Sequence, residues 1–241
     1  MDIQDVIQRI TKTGTFQERS SFDCPNCEDK GYIAYRSDSG EIMCRTCPCQ
    51  IRKANLRRIR NSGLSGLLER CTLETYQTVE PWQKKAKESA EAYIADWRGK
   101  WFYAGGSPGS GKTHLCTAIC GAMMDGGLPV RYVQWRSDIP AIKAKANDAE
   151  AYAESMQPLK NVRVLYIDDF LKGTVTEADR NIAFELLNAR YVKPDCATII
   201  SSERTVGDVL DWDEAVGSRI AERAKGFIVS VSGAGKNWRL R

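Results

Sequence analysis

The run Gly106-Ser107-Pro108-Gly109-Ser110-Gly111-Lys112-Thr113 constrains this chain more than any other feature. It fits G-x-x-x-x-G-K-[ST] without a mismatch, between the apolar segment WFYA and the helical pattern THLCTAICGAMM. Glycines let backbone N–H groups turn inward around phosphates, and the helix N-terminus adds the positive end of its dipole. Lys112 then reaches the β- and γ-phosphates, and the Thr113 hydroxyl ligates Mg²⁺. Spacing and context therefore predict an ATP and Mg²⁺ site over Gly106–Thr113. His114, the next residue and the only histidine, is grouped with this run and reads as structural.

A strand leading into a P-loop and helix requires a parallel sheet, and the rest of the sequence supplies one. Strand-like and helix-like segments alternate from WFYAG through VRYVQW, VRVLYID, TEADRNIAFELLNARYV and ATIISS to FIVSV. The fold class is α/β: a P-loop core of parallel strands flanked by helices, preceded by a smaller module. The expected division is residues 1–70 for an N-terminal module and 71–241 for the nucleotide domain. The module starts with an amphipathic helical pattern over residues 1–13 and ends in a basic run, where Arg45, Arg52, Lys53, Arg57, Arg58 and Arg60 stand without an acidic residue from Ile42 to Leu68.

Four apolar residues, Val164-Leu165-Tyr166-Ile167, run into Asp168 and Asp169, which reads as a buried strand ending in two carboxylates. In this Walker B arrangement Asp168 belongs to the Mg²⁺ shell, and Asp169 orients or deprotonates the attacking water. With Lys112 these are candidate catalytic residues. Adenine is expected near Leu73 and Tyr76, ahead of the sheet.

Of nine cysteines, five crowd into residues 24–49, which in a reducing compartment points to metal. Cys24-x₂-Cys27 and Cys44-x₂-Cys47 give two knuckles for a tetrahedral Zn²⁺ site, with Cys49 a fifth thiol. Four thiolates leave no open position for water, so the zinc is structural. Cys71, Cys116, Cys120 and Cys196 read as small core residues. No stretch has the length of a membrane span and the N-terminus lacks signal-peptide order, so a cytoplasmic protein is expected. Lys and Arg total 35 against 31 Asp and Glu, too slight an excess to argue for nucleic acid unless charge clusters locally.

The order GSPGSGKTHL, YIDDF, TIISSERT, GSRIAER resembles the AAA+ ATPases of the bacterial and phage replicative helicase loader group (DnaC/DnaI-like), with IstB-like ATPases as near relatives. The resemblance runs from about residue 20 to the end. It implies ATP hydrolysis, an AAA+ core without a C-terminal helical lid, and a sensor 1 position on ATIISS between the P-loop and Walker B strands. Ser201-Ser202-Glu203 stands where the group has Thr-Ser-Asn, so Glu203, a carboxylate, replaces a neutral amide in a catalytic position. Arg219 matches the finger offered to a neighbouring subunit's ATP, with Arg223 one turn on and Arg190 a second candidate. The implied partners are a DnaB-type helicase hexamer gripped by the N-terminal module, single-stranded DNA, and further copies of the chain sharing ATP sites. Loader-like sequences close the zinc site with a Cys-x-Cys pair, here Cys47-Pro48-Cys49, so Cys44 and Cys49 compete for the fourth place. Arg136, Lys143 and Lys145, with Tyr152, lie on the crossover where loaders contact single-stranded DNA. Two alternatives share the core: an IstB-like regulator of transposition on duplex DNA, which does not predict a zinc module, and an adaptor switched by nucleotide without required hydrolysis.

Overall fold

The computed structural model describes residues 23–59, 64–233 and 236–240. The helical pattern expected over residues 1–13, and Arg60 of the basic run, lie outside the described residues. The chain forms two compact units, Met1–Cys47 and Pro48–Arg241.

In the first unit, strands β1 (Tyr32–Arg36) and β2 (Ile42–Thr46) form an antiparallel hairpin with Ala34 opposite Cys44. The Ser37–Glu41 connection closes through Gly40, whose φ of +83° suits a residue without a Cβ. Nearly every strand residue is exposed, so the hairpin buries little apolar surface. Such a module needs a covalent or metal staple.

In the second unit, strands β3 (Trp101–Gly106), β4 (Val130–Gln134), β5 (Val164–Asp168), β6 (Ala197–Ser201) and β7 (Ile228–Val231) form one parallel sheet in the order β4-β5-β6-β3-β7. The β3, β5 and β6 strands are buried throughout, because helices cover both faces. Side-chain alternation divides their residues between two cores. Phe102, Tyr166 and Ile199 join Leu115, Ile119 and Tyr93 on one face. Trp101, Tyr103, Leu165, Ile167 and Ile200 join Leu186, Leu187 and Ile220 on the other. The first face is packed by α1 (Pro48–Ile59), α2 (Ser65–Leu68), α3 (Pro81–Ala95) and α4 (Lys112–Asp125). The second is covered by α5 (Trp135–Lys143), α6 (Ala149–Asn161), α7 (Glu177–Tyr191), α8 (Val206–Trp212) and α9 (Glu214–Arg223).

The basic helix, read from sequence with the N-terminal module, packs on the second unit as α1. Its Asn55 is fully buried, donating to Leu128 O (2.7 Å) and accepting from Val130 N–H (3.1 Å), and so pins the helix to the start of β4. Cys116, Cys120 and Cys196 are core residues as expected, and Cys71 is half-buried.

Arg190 corrects the sequence reading that made it a second finger candidate. It is fully buried, and its guanidinium donates to Thr198 Oγ1 (2.9 Å), Leu159 O (2.8 Å), Val162 O (2.9 Å) and Ala197 O (2.6 Å). Leu159 and Val162 lie at the α6 C-terminus, where carbonyls have no partner within the helix. Burial lowers the pKa of Arg190 to about 10, which leaves it charged at neutral pH.

Candidate nucleotide and metal sites

The P-loop follows β3 and is shaped by backbone approach. Gly106 has φ +109°, and a Cβ there would stand 2.1 Å from Val231 O on β7, so no other residue fits. Ser107 N–H donates to that same carbonyl (2.6 Å), tying the loop to the sheet. Gly111, at φ +83°, turns the chain into α4. Lys112 Nζ donates to Gly106 O (2.9 Å) and Ser107 O (2.7 Å). Burial lowers its pKa, so the ammonium gains from an incoming anion. Backbone N–H groups at a helix start around a half-buried lysine are the donor set a triphosphate requires, and the residues present fit ATP.

Sheet order brings the two carboxylates to this loop. Asp168 ends β5, which β6 separates from β3, and its carboxylate accepts from Thr113 Oγ1 (3.2 Å), Tyr166 Oη (2.8 Å), Tyr132 Oη (3.0 Å) and Ser201 Oγ. Thr113 and Asp168 thus place two oxygen ligands together at a buried position, the hard donor set that suits Mg²⁺. Asp169 takes the left-handed conformation (φ +53°), which turns its side chain out of the sheet and into a cavity of about 220 Å³. Residues 108–113, His114, Asp169, Lys172 and Glu203 line this cavity. Lys172, which no sequence pattern marked, bridges Asp169 Oδ2 (3.1 Å) and Glu203 Oε1 (3.2 Å).

A second cavity of about 240 Å³ lies against Gly109–Gly111, walled by Tyr76, Gln77, Gln83, His114 and Trp238. His114, read from sequence as structural, has its Nε2 3.0 Å from Thr72 O and its ring edge-on against Tyr76 at 5.3 Å. Tyr76, expected near the adenine, lines this cavity, and Leu73, named with it, packs against the core. Trp238 escaped the sequence reading because its segment shows no periodicity. It is seated by hydrogen bonds from its backbone N–H to Gly109 O (2.9 Å) and from Nε1 to Gln77 Oε1 (2.8 Å).

Arg219 does not line the P-loop cavity. It lies across Phe184 (4.9 Å) and Tyr191 (5.5 Å), with Nε donating to Asn188 Oδ1 (3.0 Å) and Nη1 to Ala215 O (2.6 Å). Arg223 donates to Gly99 O (2.8 Å) and Lys193 O (3.2 Å), contacts that hold the fold. Of the crossover residues, Arg136 and Lys143 line a shared groove, Lys143 being paired with Asp179 at 2.7 Å. Lys145 and Tyr152 face elsewhere, toward Ser155 (2.8 Å) and Glu185 (2.5 Å).

Four cysteine sulfurs, those of Cys24, Cys27, Cys47 and Cys49, lie within 4.8 Å of one another. Cys24 Sγ and Cys47 Sγ are 3.8 Å apart, close to the edge of a tetrahedron with Zn–S bonds of about 2.3 Å. The thiolate donor set fits Zn²⁺. Cys44, expected among the ligands, is exposed on β2 and stands outside the cluster. The hairpin register explains this, since Cys44 is held opposite Ala34 while Cys47 lies beyond the strand end. Burial opposes ionisation of Cys24, but the Cys27 and Asn26 N–H groups, with the Cys27 and Cys47 thiols, outweigh it and hold the pKa at about 7.

Residues 74–240 match the IstB-like ATP binding protein family, and the chain belongs to it. It is 29% identical to phage-like element PBSX protein XkdC of Bacillus subtilis, over 90% of this chain and 85% of that one. It is 23% identical to the replicative helicase loader DnaC of Escherichia coli, over 93% and 90%. The crystal structure of the DnaC helicase loader superposes with a TM-score of 0.59 at 22% identity, covering 67% of this chain and 96% of that one, which establishes a common fold. The fold is that of an AAA+ P-loop domain of the DnaC-like group, with IstB relatives. No helix among the described residues is long and apolar enough to cross a membrane.

Proposed function

We propose that this member of the IstB-like ATP-binding family hydrolyses ATP to deliver a hexameric DnaB-type helicase onto single-stranded DNA. The observation that carries this reading is the extent of the similarity to a replicative helicase loader. It reaches 93% of the chain, more than residues 74–240 contain, and so takes in the cysteine-bearing segment as well as the nucleotide domain.

The P-loop amides and Lys112 bind the phosphates, and Thr113 and Asp168 supply oxygens to Mg²⁺. The ion, when bound, offsets charge on the phosphates. Asp169 accepts a proton from, or orients, the attacking water. Tyr76 and Trp238 enclose the adenine. Arg219, outside its own cavity, reaches the site of a neighbouring copy in a homo-oligomer assembled on the helicase. Cys24, Cys27, Cys47 and Cys49 hold a structural Zn²⁺ that folds the hairpin module, and the first unit grips the helicase in the cytoplasm while the second hydrolyses ATP.

The test is capture of purified replicative helicase by the full chain and by a version lacking residues 1–47. The expected result is capture only by the full chain, stabilised by ATP. Equal capture by both would remove the assigned role of the module. A second reading, an IstB-like ATPase acting on duplex DNA, rests on the family match over residues 74–240. ATP-dependent binding to duplex DNA without helicase capture would favour it.

A further inference from the structure

After β5 the chain turns through Asp169-Phe170-Leu171-Lys172, with φ of +53° at Asp169 and +58° at Leu171. Neither is glycine, and the left-handed conformation is strained for a residue with a Cβ. The turn is held at Asp169 and Phe170 by contacts with β6 and its continuation. Asp169 N–H donates to Ser201 Oγ (3.1 Å), Phe170 N–H donates to Ser201 O (2.8 Å), and Ser202 Oγ donates to Phe170 O (2.7 Å). The Phe170 ring is buried edge-on against Trp135 at 4.8 Å. A strained turn fixed this firmly determines where its last residue, Lys172, points.

Lys172 points into the cavity that holds Lys112 and Thr113. Its ammonium donates to Asp169 Oδ1 (3.2 Å) and Oδ2 (3.1 Å) and pairs with Glu203 Oε1 (3.2 Å). Burial works to lower its pKa, but hydrogen bonds to Asp169 and Glu203 outweigh this and raise it, so the group is a permanent cation. Glu203 ionised offers only acceptors and cannot donate to a phosphate oxygen. A carboxylate beside a triphosphate would repel it unless a cation offset its charge, and Lys172 is paired with Glu203 in the same cavity.

We propose that Lys172, carried by Glu203, is the residue by which this site distinguishes ATP from ADP. The inference rests on the reading of the cavity as an ATP site. Lys172 exchanges part of its contact with Asp169 for the γ-phosphate, and Asp169 is then able to accept a hydrogen bond from water. With ADP the ammonium stays on the two carboxylates.

The test is titration of the full chain with fluorescent, slowly hydrolysed ATP and with the matching ADP, for wild type, Lys172→Met, Lys172→Arg and Glu203→Gln, each checked by thermal melting. Lys172→Met should weaken the ATP analogue tenfold or more and ADP less than twofold, Lys172→Arg should keep most of the preference, and Glu203→Gln should narrow it. Equal weakening of both nucleotides by Lys172→Met, or an unchanged ratio, overturns the proposal, as does an unchanged preference in Glu203→Gln together with its loss in Lys172→Arg. If wild type binds neither nucleotide, the ATP reading itself fails, an outcome distinct from a changed ratio.

Discussion

Arg190→Met replaces a buried cation with an apolar side chain of similar length, and separates a residue that builds the fold from one that serves a neighbouring nucleotide. Four hydrogen bonds are lost, three of them to backbone carbonyls that stay buried. At about 1.5–3 kcal/mol for each bond from a charged donor, simple addition would exceed 6 kcal/mol. Removing the guanidinium also removes its own desolvation cost, so a net loss of about 3–5 kcal/mol is expected, as for breaking other buried charge networks. Against a total of roughly 5–15 kcal/mol, that is a large share of the stability. At about 2–4 °C per kcal/mol for a domain of this size, the melting temperature should fall by on the order of 10 °C. Urea unfolding followed by circular dichroism measures the loss. An unfolding free energy within about 0.5 kcal/mol of wild type, accompanied by lost ATP turnover, would refute the structural assignment and return Arg190 to the role of a finger.

Zinc analysis of full-length Cys49→Ser and Cys44→Ser should show loss of about one equivalent of metal in the first and full retention in the second; the reverse would exclude the observed cluster as the site. Trp238→Ala should weaken ATP and ADP alike, by about 1–3 kcal/mol if the indole stacks on the base, measured by calorimetry. Weakening of ATP alone would move Trp238 away from the adenine. Arg219→Ala should cut turnover by about 10³-fold or more while leaving nucleotide affinity within a few fold, and mixing with Lys112→Ala subunits should restore part of the activity. Lost affinity would place Arg219 in its own site.

The sequence made the nucleotide side of this molecule legible because the P-loop and β5 signals are local. Gly106–Thr113 sits on a strand-to-helix turn, and four apolar residues before Asp168 mark a strand buried on both faces. Parallel topology followed from the alternation of elements. Legibility ended where strand neighbours decide contacts. Lys172 meets Glu203 only because β5 and β6 are adjacent, and Trp238 meets Gly109 only because β7 pairs with β3. The choice between Cys44 and Cys49 depended on hairpin register, which two equally spaced knuckles do not encode. Arg190 read like any helix arginine until the α6 terminus packed over it. Tyr152, expected at a DNA channel, is claimed by Glu185 on a helix far along the chain.

The central claim is that Asp169, turned out of the sheet beside Lys112 and Thr113, makes this nucleotide site hydrolytic. Asp169→Asn, nearly the same in shape, tests it by comparing ATP affinity with single-turnover hydrolysis in one preparation. The expected result is wild-type affinity within a few fold and turnover lowered about 10²–10⁴-fold. Turnover unchanged in Asp169→Asn would contradict it.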